Sequence, residues 1–275
     1  MSGHRLSRFF RGSDDGPHWP RALVTGASSG IGRAFVLALA ARGTDVVLVA
    51  RRRERLEALA AEVGSAHGTE AEVLVADLSD AEQLGSVERR LADADRPVDL
   101  LVNCAGFGTH GRFAELAIER EEQEIRVNVL APVRLTRAAL PGMLDRRGGG
   151  VVNVSSIAAV QPLPNWATYG ASKAYLTSFS QAVHEEVRGG GVTVLALMPG
   201  FTRTEFQDHS ESGTDALPDA VWRSADRVAR AGLEALGRGR ATFVPGIGYR
   251  VFTTLSRHAP WTFARRVVHR AGRRL

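Results

Sequence analysis

Short apolar and β-branched runs recur along this chain, and each is followed by a segment of helical periodicity. VVLVA at 46–50 and VTVLALM at 192–198 run almost without interruption by charge. A strand with one wet face would alternate apolar and polar residues, whereas a continuous run belongs to a strand covered by helices on both sides. Strands are predicted at 22–25, 45–50, 72–75, 100–103, 151–155, 192–198 and 241–244. Helices are predicted between them at about 31–42, 53–63, 80–92, 117–145, 166–188 and 218–236. Such βα alternation restricts the chain to an α/β fold, a doubly wound parallel sheet whose ligands lie beyond the carboxyl ends of the strands. The core domain is expected at 19–246, behind a disordered extension at 1–18, with no internal repeat.

Composition narrows the class further. With 275 residues the chain suits one large α/β domain with a substantial core. The apolar runs fall far short of the ~20 residues a bilayer span needs. Residues 1–18 are polar and basic, without the apolar centre of a secretory signal. Cys104 is the single cysteine, which fits a reducing, cytoplasmic setting and no internal disulfide. The net charge is +5, but six arginines and no acid fall within 256–275, so the body is close to neutral. Basic ends on a neutral body, without aromatics interleaved among the basic residues, are not a nucleic-acid-reading face. No metal is expected.

TGASSGIG at 25–32 follows the first strand and opens the first helix. Gly26, Gly30 and Gly32 allow a tight turn and close approach to a pyrophosphate, which the helix N-terminus favours. At the end of the second strand, an acid would bind the ribose 2′-hydroxyl of NAD; here Ala50 is followed by Arg51, Arg52 and Arg53. Guanidinium groups attract a 2′-phosphate, so NADP is expected over NAD, the alternative being arginines that are merely solvated at a helix start. Asp77, in VADLSD, is placed either to accept a hydrogen bond from an adenine amine or to cap the helix starting near Asp80.

YGASK at 169–173 holds the only lysine among 35 basic residues. Four residues apart in a helix, Tyr169 and Lys173 share a face. A free phenol ionises near pH 10; an ammonium about 4 Å away contributes roughly 4 kcal/mol at an effective dielectric near 20, about three pKa units, with burial opposing it. Arginine is bulkier and does not release a proton, whereas a lysine ammonium is compact and has a movable pKa. Ser156 is expected to end the fifth strand, either holding a carbonyl oxygen or capping a loop. Asn128, in EQEIRVNVLAP, is a poor helix former; it is either a surface residue or a buried polar group among Val127 and Val129.

Together, TGASSGIG, NCAG at 103–106, Asn128, Ser156, YGASK and PGFTRT at 199–204 resemble the short-chain dehydrogenase/reductase family in its single-domain form, over about 20–246. The resemblance implies a Rossmann-like seven-stranded sheet and a catalytic tetrad of Asn128, Ser156, Tyr169 and Lys173. In it Ser156 orients the substrate oxygen and Tyr169 is the acid/base. Lys173 holds the nicotinamide ribose and lowers the tyrosine pKa, and Asn128 holds a water of the proton relay. Cofactor contacts are implied for Thr25, Ser28, Ser29, Ile31, Arg51, Arg52, Asp77, Leu78, Asn103, Ala105, Gly106, Pro199, Gly200, Thr202 and Thr204 besides the three glycines. VARRRERL looks like the NADP-preferring members. Cys104 stands where the family's second asparagine is usual, and is expected to be an inert thiol.

The implied reaction is hydride transfer between NADP(H) and a carbonyl or secondary alcohol. The apolar segments 107–110, 162–166 and 206–222 suggest an apolar substrate. A non-catalytic NADP-binding scaffold is the alternative. The helices at 117–145 and 166–188 imply a homodimer or homotetramer. In the extension 247–275, Trp261, Ala264, Val267, Val268, Ala271 and Leu275 recur at helical spacing among arginines. Such a basic amphipathic helix either touches an anionic membrane peripherally or packs on protein.

Overall fold

The computed structural model describes residues 19–204 and 221–258. Seven parallel strands form one sheet: β1 (Arg21–Thr25), β2 (Asp45–Ala50), β3 (Ala71–Val75), β4 (Leu100–Asn103), β5 (Gly149–Val154), β6 (Val192–Leu197) and, after a two-residue pair considered below, β9 (Thr242–Phe243). Their order is β3-β2-β1-β4-β5-β6-β9. The order reverses between β1 and β4, which pair through Ala22–Leu100, Leu23–Leu101 and Val24–Val102. A crevice therefore opens at their carboxyl ends, the place where such sheets bind ligands.

The uninterrupted apolar runs have the predicted cause. In β1, Ala22 and Val24 face one core while Leu23 faces the other; in β2, Val46 and Leu48 are set against Val47 and Val49 in the same way. The first core is closed by α1 (Gly30–Ala40), α2 (Arg53–His67) and α7 (Ala225–Gly237). The second is closed by α3 (Ala81–Leu91), α5 (Ala131–Asp145) and α6 (Ala167–Val187). Phe35, Leu39 and Leu233 fill one, and Leu84, Leu135 and Met143 the other, all fully or almost fully buried.

Several predicted elements change shape. The helix expected over 117–145 is α4 (Ile118–Ile125), a π-helical turn over Arg126–Leu130, and then α5. Pro132 has no N–H to return to the carbonyl of Asn128, four residues earlier, so the α ladder cannot run through. The wider turn follows, with the Ala131 N–H reaching back to Arg126 O. Wide turns of this kind concentrate at functional sites. Of the helix expected at 218–236, residues 218–220 lie outside the described residues, and α7 begins only at Ala225 because β8 (Arg223–Ser224) pairs with β7 (Thr202–Arg203). Asp77 does not cap α3; Asp80 does, accepting from the Glu82 and Gln83 N–H groups.

Residues 1–18, most of the 206–222 segment and the periodic residues from Trp261 onward lie outside the described residues. The segment from 247 opens as α8 (Ile247–His258), which lies on the turn after β6. The Tyr249 hydroxyl accepts the Phe201 N–H at 3.2 Å and donates to the Val221 carbonyl at 2.6 Å. Its ring occupies the space beside Gly200, where a Cβ would come within 2.2 Å of it.

Candidate active site

The glycine turn sits at the mouth of the β1/β4 crevice. Thr25 ends β1 and its Oγ1 accepts the N–H groups of Cys104 and Ala105 at 3.0 and 3.1 Å, tying the two strand ends together. Gly26 has φ +69°, and a Cβ there would lie 2.9 Å from Ala105 N. Gly32 is tighter: its Cβ would meet Gly26 O at 2.2 Å. A Cβ on Gly30, at φ +53°, would lie 3.0 Å from the Thr204 side chain, so PGFTRT packs against the turn. Ser29 is the extended N-cap of α1 and makes no side-chain cap bond, while Ile31 packs on the first core. A pyrophosphate suits this cradle, with bare backbone on one side and a helix N-terminus on the other.

The end of β2 is basic. The Arg52 guanidinium donates to Ser28 Oγ at 3.1 Å, so it lies beside the turn. Arg51 is exposed and 4.0 Å from the Asp77 carboxylate, whose other oxygen is taken by the Ser79 N–H and hydroxyl. Leu78 is buried in the second core, which leaves its backbone for any ligand contact. In the last motif, the Pro199 carbonyl accepts from Ile157 N–H, and Thr202 is buried with its hydroxyl donated to Gly200 O at 3.0 Å.

The sequence-predicted set Asn128, Ser156, Tyr169 and Lys173 converges below Gly106. A Cβ on that glycine would lie 2.9 Å from Asn128 Oδ1 and 3.3 Å from Lys173 Nζ. Asn128 is buried, and it clamps the Phe107 backbone by accepting from its N–H at 3.2 Å and donating to its carbonyl at 2.8 Å. That resolves the two readings of Asn128 in favour of the buried one. Ser155 and Ser156 divide the work: Ser155 accepts nothing from the crevice and instead ties α6 down through Lys173 O at 2.8 Å. Ser156 caps the turn over Ile157–Val160 and also hydrogen-bonds Tyr169. Lys173 is buried, and its ammonium donates to Val154 O at 3.0 Å.

The electrostatics depart from the expected lowered tyrosine. Burial pushes Tyr169 up to about 12, against the pull of the Ser156 hydrogen bond and with Glu124 adding to the rise. Burial pushes Lys173 down to about 8, with Cys104 and Glu124 opposing. Desolvation penalises the charged form of each group, a phenolate in one case and an ammonium in the other. The Lys173 ammonium lies 5.7 Å from the Tyr169 ring centroid, and its pull does not overcome the burial of the phenol. Cys104, partly buried, is a neutral thiol pushed up to about 12 by burial.

Some supports went unforeseen. Asn103 donates to Asn153 Oδ1 at 2.8 Å and to Thr136 at 3.3 Å, and Asn153 donates to Ser180, a buried chain under the crevice. Gly108 lets its loop pass over Tyr169, since a Cβ would come within 2.9 Å of that ring. Glu124 is buried beneath the same loop, accepting from the Thr109 N–H and hydroxyl. A glutamate on a helix facing an apolar core was the available signal, hidden in the charged run EREEQE. Among the described residues no helix is long and apolar enough to cross a membrane, and no group of three His, Cys, Asp or Glu gathers to hold a metal.

A family model described as short chain dehydrogenase matches residues 20–215. The chain is similar to a short chain dehydrogenase of Pseudocercospora fijiensis, 40% identical over 67% of this chain and 60% of that one. It is also similar to an inactive hydroxysteroid dehydrogenase-like protein 1 of Homo sapiens, 34% identical over 67% of this chain and 56% of that one. The chain thus spans less than two thirds of the length of either relative. Among solved structures, a short-chain dehydrogenase from Sphingobium yanoikuyae in complex with NADPH superposes with a TM-score of 0.79, at 34% identity, over 86% of this chain and 92% of that one.

Proposed function

Because the chain belongs to the short chain dehydrogenase family, we propose that it is an NADP(H)-dependent oxidoreductase that interconverts a carbonyl and a secondary alcohol. The observation that carries this reading is the convergence of Ser156, Tyr169, Lys173 and Asn128 beside Gly106, in front of the glycine turn. A pure binder of the nucleotide would need the turn but not the Tyr169–Ser156 hydrogen bond.

NADPH, when bound, supplies the hydride. The chain's own groups do the rest. The turn around Gly26, Gly30 and Gly32 holds the pyrophosphate, and Arg51 and Arg52 favour the 2′-phosphate. Asn103, Ala105, Gly106 and Thr204 line the nicotinamide half, and the Lys173 ammonium holds its ribose. Ser156 orients the substrate oxygen, and Tyr169, un-ionised at neutral pH, donates its hydroxyl proton to that oxygen as the carbonyl carbon is reduced. Trp166, 5.6 Å from the Tyr169 ring, and His110, 5.0 Å from Trp166, form an aromatic wall that faces the substrate, with Phe107 on the adjoining loop.

A homodimer is the proposed assembly. Ile118, Ile125 and Leu130 on the α4–α5 helix pair and Tyr175 on α6 are exposed, the apolar surface such a face requires. Residues 256–275 are proposed to touch anionic membrane peripherally, with vesicle co-sedimentation of the whole and truncated chain as the check; a cytoplasmic location goes with that reading.

The alternative is a catalytically silent NADP-binding relative, the reading favoured by the human relative named inactive. NADPH oxidation against a panel of aldehydes, ketones and diketones decides between them. Turnover lost in Tyr169→Phe with NADPH binding retained supports the enzyme. Good binding with no turnover on any carbonyl supports the silent relative.

A further inference from the structure

Glu124 stands on α4 one helical turn before Asn128 and is fully buried. Its Oε2 accepts from Thr109 twice, at 2.8 Å from the N–H and 2.7 Å from the hydroxyl. Its Oε1 lies 3.4 Å from Asn128 Nδ2. Asn128 reaches onward, because its Oδ1 and the Lys173 ammonium border the same space beside Gly106, 2.9 and 3.3 Å from where a Cβ would stand. A carboxylate and an ammonium are thus both withdrawn from water with one amide between them. Each is strongly disfavoured alone in such a place, and each relieves the other.

The charged and titratable neighbours are few. Facing Lys173 are Cys104 from the end of β4, Glu124 from α4, and Tyr169 from its own helix. Facing Glu124 are Glu121 from α4 and Lys173 from α6. Glu121 is itself buried and spends one oxygen on the Thr168 hydroxyl. Cys104 also opposes the fall of Lys173, but only as a thiolate, and burial pushes that ionisation up to about 12, so near pH 7 Glu124 is the charged partner. Among the described residues, Glu124 is the carboxylate whose field reaches both Tyr169 and Lys173.

We infer that Glu124 is a positioning residue for carbonyl reduction: its carboxylate is the buried counter-charge of the Lys173 ammonium, seated across Asn128, and it keeps Lys173 and Tyr169 in their proton-donating forms. The inference rests on the oxidoreductase reading and sets the pH range over which its proton donors stay loaded. When Tyr169 gives its hydroxyl proton to the substrate oxygen, the proton must be replaced from the lysine side. A negative charge nearby keeps the ammonium loaded and disfavours a lasting phenolate, so the site is poised to donate protons rather than to abstract them. Burial raises Glu124 itself, and the two Thr109 donors hold it back towards the charged form.

The single lysine makes the test direct. Protein grown on carbon-13 lysine carries one labelled side chain, so its NMR titration reports Lys173 alone. Wild type is expected to titrate near pH 8. Glu124→Gln keeps the shape and the Thr109 bonds, since one amide oxygen can accept both donors. Its Lys173 midpoint is expected to fall by about one unit, a tenfold change in proton affinity. The alkaline limb of NADPH-dependent reduction should move to lower pH by a similar amount, which a merely structural role would not produce. Coincident lysine midpoints in wild type and Glu124→Gln overturn the inference. Should Glu124→Gln not fold, Glu124→Met with Thr109→Val removes the charge and the hydroxyl donor, leaving only the Thr109 N–H without its acceptor, and the same lysine shift decides. Because the NMR titration needs no substrate, a chain with no turnover refutes the enzyme while leaving the counter-charge to stand or fall by its own midpoint.

Discussion

Alanine at Gly32 gives a sharp test of the proposed cofactor cradle. The new Cβ would lie 2.2 Å from Gly26 O, 2.7 Å from Gly26 C and 3.2 Å from Ala27 N. Ordinary contacts begin near 3.4 Å, so the end of β1 and the start of α1 must part by about 1 Å. Neither gives easily, since Thr25 ties β1 to Ala105, and Ala27 N–H is bonded to Val49 O. Overpacking of this kind costs about 1–3 kcal/mol, from which helix propensity returns up to ~1 kcal/mol because Gly32 lies in α1. Net stability should therefore fall by only ~0–3 kcal/mol. The cradle suffers more, because a displacement of about 1 Å in a positioned site is worth roughly a hundredfold. Titration calorimetry should show NADPH affinity reduced by ~10–100-fold, with a small drop in Tm. Gly68→Ala is the control: its φ of +67° makes alanine strained by ~1 kcal/mol, but no atom lies within 4 Å. It should lower Tm without touching NADPH affinity. If Gly32→Ala binds NADPH within about twofold of wild type, the turn is not the pyrophosphate site.

Other substitutions test the remaining parts. Lys173→Arg keeps the charge in a bulkier, non-titrating form and should lose most carbonyl reductase activity; near-normal rates would show that charge alone suffices. Glutamate at both Arg51 and Arg52 should lower the NADPH-to-NADH preference at least tenfold, measured as a ratio of kcat/KM values, through repulsion of the 2′-phosphate. Asn128→Ala strips partners from both Phe107 backbone groups and should cost ~2–3 kcal/mol in urea unfolding along with most turnover. The buried lysine also predicts a pH dependence. Its folded value, about 8, lies below the ordinary lysine value of 10.5, so the unfolded chain binds more protons between those values and stability rises with pH across that window. Tyr169, raised from 10.0 to about 12, acts oppositely between those values, and stability falls there. Lys173→Met should therefore be the more stable protein at pH 7, by ~1–3 kcal/mol, with the gap closing as pH approaches 10 in urea titrations.

Much of the fold was legible because the signals were periodic and local. The runs at 45–50 and 192–198 announced strands buried on two faces, and the glycine turn announced a strand-to-helix corner, since both depend on neighbours in sequence. Tyr169, Lys173, Ser156 and Asn128 stood out by residue type and spacing, and the folded chain brings them to one crevice. Boundaries were less legible. Asp77 and Asp80 offered the same capping chemistry three residues apart, and only the path of the chain assigned it to Asp80. The π turn over Arg126–Leu130 left a trace in sequence, Pro132 four residues after Asn128, which a continuous apolar period concealed.

What the sequence determined alone was therefore the class of fold and the set of residues proposed to react, because periodicity and motif spacing are properties of adjacent residues. Tertiary structure decided how those groups ionise. Tyr169 is raised rather than lowered because burial outweighs the pull of its Ser156 hydrogen bond. It also decided that Glu124, one acid in a charged helix, lies buried beside Asn128 while Glu122 faces water. Desolvation depends on what long-range packing removes from solvent, and no local pattern of residues records that.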